Sequence, residues 1–263
     1  MPHDPDLHVV RREPVGDPHP TPLLFVHGAW HGAWCWEEHF LDHFAGLGFE
    51  VAALDLRGHG SSPARGRFKT RRLRHYVADV AEVAATFETP PVVVGHSMGG
   101  MVVQKYLEKH QAPAGVLLAS GPPRGVVGIT LRVLRRHPWV FLKMNATWSL
   151  YPLVADPDDA RALFFSADMD DVTALGYTAR LQDEAYLAFL DMLLLDLPRP
   201  KRVGTDVLVL GGEQDTIFPP PEVHRTAAAY GTEAVLFDGA HDLMLEACWP
   251  EVADEIARWV RAR

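Results

Sequence analysis

Short runs of consecutive apolar residues recur in the first half of the chain and again near its end. These runs lie at residues 23–26, 51–54, 92–94, 116–118, 207–210 and 235–237. Because none of them alternates apolar with polar residues, they are typical of strands that a sheet buries on both faces. The stretches between them leave room for the crossover helices that parallel strands require. The pattern therefore predicts an α/β fold with a doubly wound, mostly parallel sheet.

Helical spacing occurs where this fold requires helices. Directly after position 97, one face of a predicted helix carries Val102, Val103, Tyr106 and Leu107. Near the end of the chain a second helix is predicted, with Pro250 in its first turn. Its apolar stripe consists of Val252, Ile256, Trp259 and Val260.

The segment from 123 to 200 interrupts this alternation of strands and helices. It contains no clear strand and is rich in aromatic side chains, among them Trp139, Phe141, Trp148 and Tyr177. We therefore predict a helical cap at 123–200, inserted late in the sheet, and an α/β core formed by residues 1–122 and 201–263. Most of the aromatic side chains are expected to form the core of the cap itself, and a minority to line a pocket beneath it.

Composition narrows the range of partners. The net charge of −9 argues against nucleic acid as a partner, because its phosphates attract a basic face. The two cysteines, Cys35 and Cys248, do not demand a disulfide. No apolar stretch reaches the roughly 18 residues of a membrane-spanning helix, and the first twenty residues lack the apolar run of a leader peptide. We expect a cytoplasmic protein without a membrane span, whose oligomeric state the sequence leaves open.

A nucleophile motif follows the third apolar run. The residues are Gly95-His96-Ser97-Met98-Gly99, and a predicted helix begins directly afterwards. This is the G-x-S-x-G pattern in the strand-to-helix context that it requires. Glycines on either side of Ser97 allow the sharp turn and the close approach of neighbouring segments. The motif predicts Ser97 as the nucleophile of a hydrolase.

A serine hydroxyl needs a base to take its proton and an acid to orient that base. In this architecture the acid and the histidine follow the serine in that order. The run at 207–210 leads to Asp215, our predicted acid, with Glu213 as a competitor closer to the strand. The last run leads to His241, our predicted base. Its neighbours Asp238 and Asp242 are ranked lower as acids, since adjacent residues rarely face each other's side chains.

Two backbone N–H groups should stabilise the oxyanion of an acyl-transfer reaction. One is expected from Met98 and the other from the loop after the first run, where Ala29 is our choice and Trp30 the alternative. Trp30 and His96 are also candidates for contacts with substrate.

Fourteen histidines are present, so a single histidine carries little information. For the turn residues His27, His59 and His96, hydrogen bonds to loops are the simpler interpretation. His27 and His31 have the spacing of metal ligands on a helix but bracket a glycine-containing turn. We expect no metal and no cofactor.

The chain resembles the α/β-hydrolase superfamily over nearly its whole length. The matching pieces are residues 27–30, 55–62, 95–100, 211–219 and the turn at His241. The resemblance implies the α/β-hydrolase fold with a Ser-His-Asp triad. Residues 27–34 are also similar to plant methyl esterases and hydroxynitrile lyases. Those lyases usually have Thr in the early oxyanion loop and Lys after the catalytic histidine, where this chain has Gly28 or Ala29 and Asp242. The resemblance thus implies an esterase rather than a lyase.

We therefore predict a cofactor-free serine hydrolase that cleaves a carboxylic ester of a small to medium apolar substrate through an acyl-enzyme. Alternatives on the same triad are C–C bond, lactone or thioester hydrolysis and lyase chemistry. A non-catalytic ligand-binding receptor on this fold is a further alternative, which an intact triad disfavours.

Overall fold

The structure, a computed structural model, describes residues 6–263. Residues 1–5 lie outside the described part. The expectation that the chain has no leader rests partly on them, and the predicted core begins with them.

Seven strands form a single sheet. They are β1 (Val9–Arg12), β2 (Leu23–Val26), β3 (Val51–Leu54), β4 (Val92–His96), β5 (Gly115–Leu118), β6 (Val207–Gly212) and β7 (Ala234–Phe237). Their order across the sheet is β1-β3-β2-β4-β5-β6-β7. All neighbours run parallel except β1, which pairs antiparallel with β3. Each predicted run lies within one of these strands, so the predicted mostly parallel sheet is confirmed.

Strand β1 is the one strand that the apolar runs do not predict. Its sequence is Val-Val-Arg-Arg and all four residues are only partly buried. Val9 pairs with Leu54 and Arg12 pairs with Val51. Because β1 is a partly buried edge strand, it does not need a continuous apolar run, and its two arginines interrupt one; the other edge strand, β7, has the apolar sequence Ala-Val-Leu-Phe and was predicted.

The helices cover the sheet and fill the segment between β5 and β6. In chain order they are α1 (Trp34–Glu37), α2 (Phe40–Gly46), α3 (Leu73–Ala84), α4 (Met98–Leu107), α5 (Val127–Arg136), α6 (Pro138–Thr147), α7 (Pro157–Phe164), α8 (Asp171–Thr178), α9 (Tyr186–Leu190), α10 (Pro220–Ala229) and α11 (Trp249–Arg261). The two helices predicted from their spacing correspond to α4 and α11. None of these helices has the length and apolar character needed to cross a membrane.

The segment between β5 and β6 contains α5 to α9, a π-helical turn at Asp191–Leu195 and short 3₁₀ turns. Residues 123–200 contain helices and turns but no strand. The division of the chain into a core and a cap at these boundaries stays a prediction.

The parallel strands bring the candidate chemistry to one edge of the sheet. Ser97, Asp215 and His241 each lie in the connection after a strand, following β4, β6 and β7 respectively. The carboxyl ends of parallel strands are where open α/β sheets gather their functional loops. A seven-stranded sheet covered by helices thus places three distant sequence segments side by side.

Candidate active site

Ser97 lies in a strained turn between β4 and α4. Its backbone has φ of 52° and ψ of −115°, in a region that non-glycine residues rarely occupy. A Cβ atom on Gly95 would lie 2.4 Å from the carbonyl oxygen of Gly99, and one on Gly99 would lie 2.4 Å from the carbonyl oxygens of Val26 and His27. Glycine is therefore required on both sides of the serine. The turn matches the nucleophile motif expected from the sequence.

The predicted acid and base contact each other directly. His241 Nδ1 lies 2.8 Å from Asp215 Oδ2, and both side chains are buried. The other oxygen, Asp215 Oδ1, accepts hydrogen bonds from the backbone N–H groups of Ile217 and Phe218 at 2.7 and 2.9 Å. Because an ionised carboxylate only accepts, Nδ1 of His241 is the donor. Its Nε2 is left as a proton acceptor, and this atom is buried without a hydrogen-bond partner among residues 6–263.

Charge around the ring favours protonation of His241. Burial alone would lower the pKa of His241, but the charge of Asp215, the hydrogen bond to it and the charge of Asp242 together raise the pKa above its ordinary value. The competitor acids behave differently: Glu213 is exposed, and Asp238 is exposed and binds Gln214 at 2.8 Å. The described geometry thus favours Asp215 as the partner of His241.

The two expected oxyanion donors lie beside the serine. Ala29 and Met98 both line the same cavity as Ser97. Met98 is the first residue of α4, and an N–H group in the first turn of a helix has no partner within that helix. A Cβ atom on Gly28 would lie 3.0 Å from the Cβ of Ser97, so the early loop approaches the nucleophile closely. The assignment of the two donors stays a prediction.

A buried hydrogen-bonded chain links the base loop to the early loop. Asp242 Oδ2 lies 2.9 Å from His31 Nε2, and His31 Nδ1 lies 2.7 Å from the carbonyl oxygen of Ala29. All three residues are buried. Burial raises the pKa of the Asp242 carboxyl, but the charges of His31, His96 and His241 and the hydrogen bond with His31 lower it overall. Sequence reasoning missed this link, because its members lie 211 positions apart.

The structure places the two substrate-contact candidates differently. Trp30 has a positive φ of 65° and lines the cavity. His96 is fully buried and is not among the cavity-lining residues. Its Nε2 lies 3.2 Å from the carbonyl oxygen of His241, and burial lowers the pKa of His96 to about 3. A neutral histidine behind the base is a packing and hydrogen-bonding residue, so this position does not support contact with substrate.

The other turn histidines form the loop hydrogen bonds expected from the sequence. His27 Nε2 accepts a hydrogen bond from the backbone N–H group of Leu56 at 3.1 Å, and His59 Nε2 lies 3.0 Å from Glu184 Oε2.

One group of potential metal ligands lies close together within residues 6–263. Ligand atoms of His96, His241 and Asp242 lie within 4.8 Å of one another, and all three side chains are buried. His241 and Asp242 already bind Asp215 and His31, and Nε2 of His96 faces a backbone carbonyl. These competing contacts give no support for a bound metal.

The cavity beside Ser97 is apolar. It encloses about 750 Å³ including its open mouth. The core contributes Ala29, Trp30, Ser97, Met98, Met101, Gly121, Ile217 and Phe218, and the segment 123–200 contributes Val126, Ile129, Thr130, Val133, Phe141, Met144, Leu150, Leu153, Leu163, Phe189 and Met192. No charged side chain is among them. The wall facing the nucleophile is thus suited to an uncharged, apolar group.

Comparison with known proteins identifies the family. Residues 23–255 match the model described as "Alpha/beta hydrolase family". Norfluorocurarine synthase 2 from a Strychnos species is 28% identical over 145 residues, which are 54% of this chain and 54% of that protein. Esterase PIR7B from Oryza sativa subsp. japonica is 36% identical over 107 residues, 38% of this chain and 39% of the relative. The chain thus spans about half or less of the length of these curated relatives.

Solved structures agree with the observed fold. A protein of Mycobacterium tuberculosis described as a non-heme bromoperoxidase superposes with a TM-score of 0.75 at 20% identity, covering 97% of this chain and 96% of that chain. At this identity the likeness concerns the fold alone. With the family match covering most of its length, the chain belongs to the alpha/beta hydrolase family.

Proposed function

We propose that the protein is a serine hydrolase that cleaves a carboxylic ester with an apolar acyl or alcohol group. The observation that carries the proposal is the hydrogen-bonded pair of Asp215 and His241, which lies at the same edge of the sheet as Ser97. Ser97 itself lines a cavity without charged side chains. Similarity to a rice protein named an esterase supports the reaction class. The proposal needs no cofactor.

The reaction proceeds in two halves. Ser97 Oγ forms a bond to the ester carbonyl carbon while its proton passes to Nε2 of His241. The N–H groups of Ala29 and Met98 stabilise the oxyanion. The C–O bond to the alcohol then breaks, and the alcohol leaves with the proton from His241. Water attacks the acyl-enzyme, gives a proton to the same nitrogen and releases the acid, while Ser97 regains its proton. Asp215 stabilises the imidazolium in both halves.

The residue after the base favours hydrolysis over lyase chemistry. Asp242 stands where the resembling lyases have lysine, and its carboxylate is buried against His31 at 2.9 Å. No lysine is therefore offered to the reacting atoms from this position. The helical segment 123–200 supplies eleven of the nineteen cavity-lining residues. We propose that this segment acts as a cap that selects the substrate.

The nucleophile is tested with a fluorophosphonate probe and intact-mass measurement. We expect one adduct on the wild-type protein and none on Ser97→Ala. Ser61→Ala is the matched control, since Ser61 is an exposed serine in a neighbouring loop, and it should label like wild type. An undiminished adduct on Ser97→Ala would refute the assignment.

The substrate class is tested with a panel of nitrophenyl esters of graded acyl length. Each neutral ester is paired with one that ends in a carboxylate. We expect the neutral member of each pair to be the better substrate, because moving an unpaired carboxylate into an apolar cavity is costly. Lactones, thioesters and C–C substrates are included in the same panel. Turnover of one of these in preference to every ester would replace ester hydrolysis by that reaction.

A further inference from the structure

The chain contains a long stretch without acidic residues. The whole protein has 34 Asp and Glu among 263 residues, yet residues 109–155 contain none. At the average frequency of the chain, about six would fall in this stretch. The same stretch carries six basic residues, which are Lys109, Arg124, Arg132, Arg135, Arg136 and Lys143. In a protein with net charge −9 this stretch is a local region of positive charge, as is the shorter stretch 56–78, and helices α5 and α6 lie within the longer one.

Helix α5 is apolar on two faces. Ile129 and Val133 line the cavity beside Ser97. Val127, Leu131 and Leu134, at i, i+4 and i+7, form a second stripe that is exposed. An amphipathic cap helix that only covered a cavity would need the first stripe alone. The second stripe therefore requires its own explanation.

Helix α6 repeats this arrangement. Phe141 and Met144 face the same cavity. On its outer side Trp139 is 80% exposed and Leu142 is 56% exposed, and Lys143 lies beside them on the helix. Because α5 and α6 turn their inner faces to one cavity, their outer faces lie on the solvent side of the segment.

The exposed apolar side chains are concentrated in this region. Of the twelve large apolar side chains exposed within residues 6–263, seven lie between 127 and 151, and they are Val127, Leu131, Leu134, Trp139, Leu142, Trp148 and Tyr151. Single exposed apolar residues are ordinary, but a concentration of them marks an interaction surface.

We propose that the outer face of α5 and α6 docks on an anionic lipid surface. This docking face consists of Leu131, Leu134, Arg135, Trp139, Leu142 and Lys143. Tryptophan and leucine next to lysine and arginine are typical of helices that lie in the membrane interface. Neither Arg135 nor Lys143 pairs with an acidic side chain of the described chain, so both charges are available to lipid headgroups. A second copy of the chain fits less well, since a two-fold contact would place the same basic residues against each other.

A recess beside α5 and α6 adjoins the cavity of the proposed active site. Its polar lining consists of Arg132, Arg136, His137, Asp159 and Thr216, and it shares the apolar wall residues Ile129, Val133, Leu153 and Leu163 with the cavity. Arg132 is already paired with Glu222 at 3.2 Å. An amphiphile held at the lipid surface by α5 and α6 would thus meet Arg136 and His137 at this recess, next to the apolar wall that the recess shares with the cavity of Ser97. This last step rests on the proposed function, whereas the docking does not.

The proposal is tested by vesicle flotation of the full chain carrying Ser97→Ala, so that no lipid is consumed. One set of vesicles contains phosphatidylcholine and phosphatidylglycerol in equal parts, and the other contains phosphatidylcholine alone. We expect tighter binding to the anionic set and a loss of that preference at high salt. The double variant Trp139→Ser/Leu142→Ser should bind roughly tenfold more weakly or worse, because it removes the apolar anchors. Arg135→Gln and Lys143→Gln should each weaken binding to the anionic set about fivefold.

The matched control is Val172→Ser/Leu175→Ser in helix α8. These side chains are also exposed, at 78% and 48%, but Asp170 and Asp171 precede them instead of basic residues. The control should bind like the parent protein, and melting curves verify that each variant is folded. Three results would overturn the proposal: equal affinity for both vesicle types, no binding to either type, or a loss of binding in the control as large as in the Trp139/Leu142 variant. So would a dimer that dissociates when Trp139 and Leu142 are replaced. Labelling of the protein that retains Ser97 by the soluble fluorophosphonate, without vesicles, separates a failure of docking from a failure of the proposed chemistry.

Discussion

Replacing Asp242 by asparagine is expected to destabilise the protein strongly, because it leaves a buried histidine without its counter-charge. Both ring nitrogens of His31 face acceptors, the Asp242 carboxylate at 2.9 Å and the carbonyl oxygen of Ala29 at 2.7 Å. Each ring nitrogen thus faces an oxygen acceptor, and the variants below test whether the pair is ionic. The lowered pKa of Asp242, in which burial is outweighed by the neighbouring histidines, agrees with an ionised carboxylate.

The size of the effect follows from burial. Removing one partner of a buried ion pair costs about 3–5 kcal/mol. Asparagine keeps the shape of aspartate and one acceptor oxygen, so we expect Asp242→Asn to lower the free energy of unfolding by an amount near the lower end of this range. The exposed pair His43–Asp254 has a similar distance of 3.0 Å, but the Asp254 side chain is 67% exposed. Asp254→Asn should therefore change the free energy of unfolding by less than about 1 kcal/mol.

Urea unfolding at neutral pH measures the free energy of unfolding of both variants. A double-mutant cycle with His31→Gln then isolates the pair. Removing the cation as well should recover part of the loss, giving a coupling energy of about 1–3 kcal/mol. The kcat should also fall with little change in KM, because the chain through His31 holds the loop that carries the proposed oxyanion donor, the N–H group of Ala29. If Asp242→Asn costs no more than Asp254→Asn, or if the cycle shows no coupling, the buried pair is not ionic.

Three other substitutions or conditions test the site. Because the pKa of His241 is raised in the folded protein, kcat/KM should rise with pH through a midpoint above 6.5. Asp215→Asn should lower that midpoint and reduce kcat by about 10⁴-fold. An unchanged midpoint would count against the pairing of Asp215 with His241. Gly28→Ala should lower the free energy of unfolding by about 1–3 kcal/mol and impair turnover, because its Cβ atom would lie 2.8 Å from His96 Nδ1. Gly46→Ala is the control: its Cβ atom would have no neighbour within 4 Å, and its activity should equal that of wild type. Burial raises the pKa of the Cys248 thiol to about 12. At pH 8 this thiol should therefore react slowly with iodoacetamide in the native protein and quickly in the denatured protein. Fast labelling of Cys248 in the native protein would contradict its buried position.

The sheet was predictable because strands that are buried on both faces have uninterrupted apolar residues in the sequence. The parallel strands β2 to β6 are buried along their whole length and therefore have continuous apolar runs, and the partly buried edge strand β7 has one as well. The positions of Ser97, Asp215 and His241 at one edge of the sheet were predictable for a related reason, since each residue follows one of the parallel strands. Edge strand β1 carries two arginines among four partly buried residues, and such a strand has no comparable pattern.

The surroundings of the base were not predictable, because they depend on contacts between distant segments. His241 and Asp242 are adjacent, yet one binds Asp215 and the other binds His31. The sequence shows only that an acid follows the histidine, and does not show which way each side chain points. The position of His96 was not predictable for the same reason, since its place next to Ser97 does not reveal that its Nε2 lies 3.2 Å from the carbonyl oxygen of His241.

The helical segment divides into two parts according to how it is held. In its second part, the carbonyl oxygen of Phe164 accepts hydrogen bonds from the backbone N–H groups of His241 and Asp242 at 3.1 Å, and Glu246 binds both the N–H group and the hydroxyl of Ser166 at 2.6 Å. These buried contacts tie α7 to the loop that carries the base. The first part, α5 and α6, is apolar both toward the cavity and toward solvent. Arg132 in α5 adds a polar link, since it lies 3.2 Å from Glu222. Apolar packing is less directional than buried hydrogen bonds. We therefore expect substitutions of the apolar cavity residues of α5 and α6 to alter substrate preference while the contact between His241 and Asp215, whose loop is held by the hydrogen bonds to Phe164, stays in place.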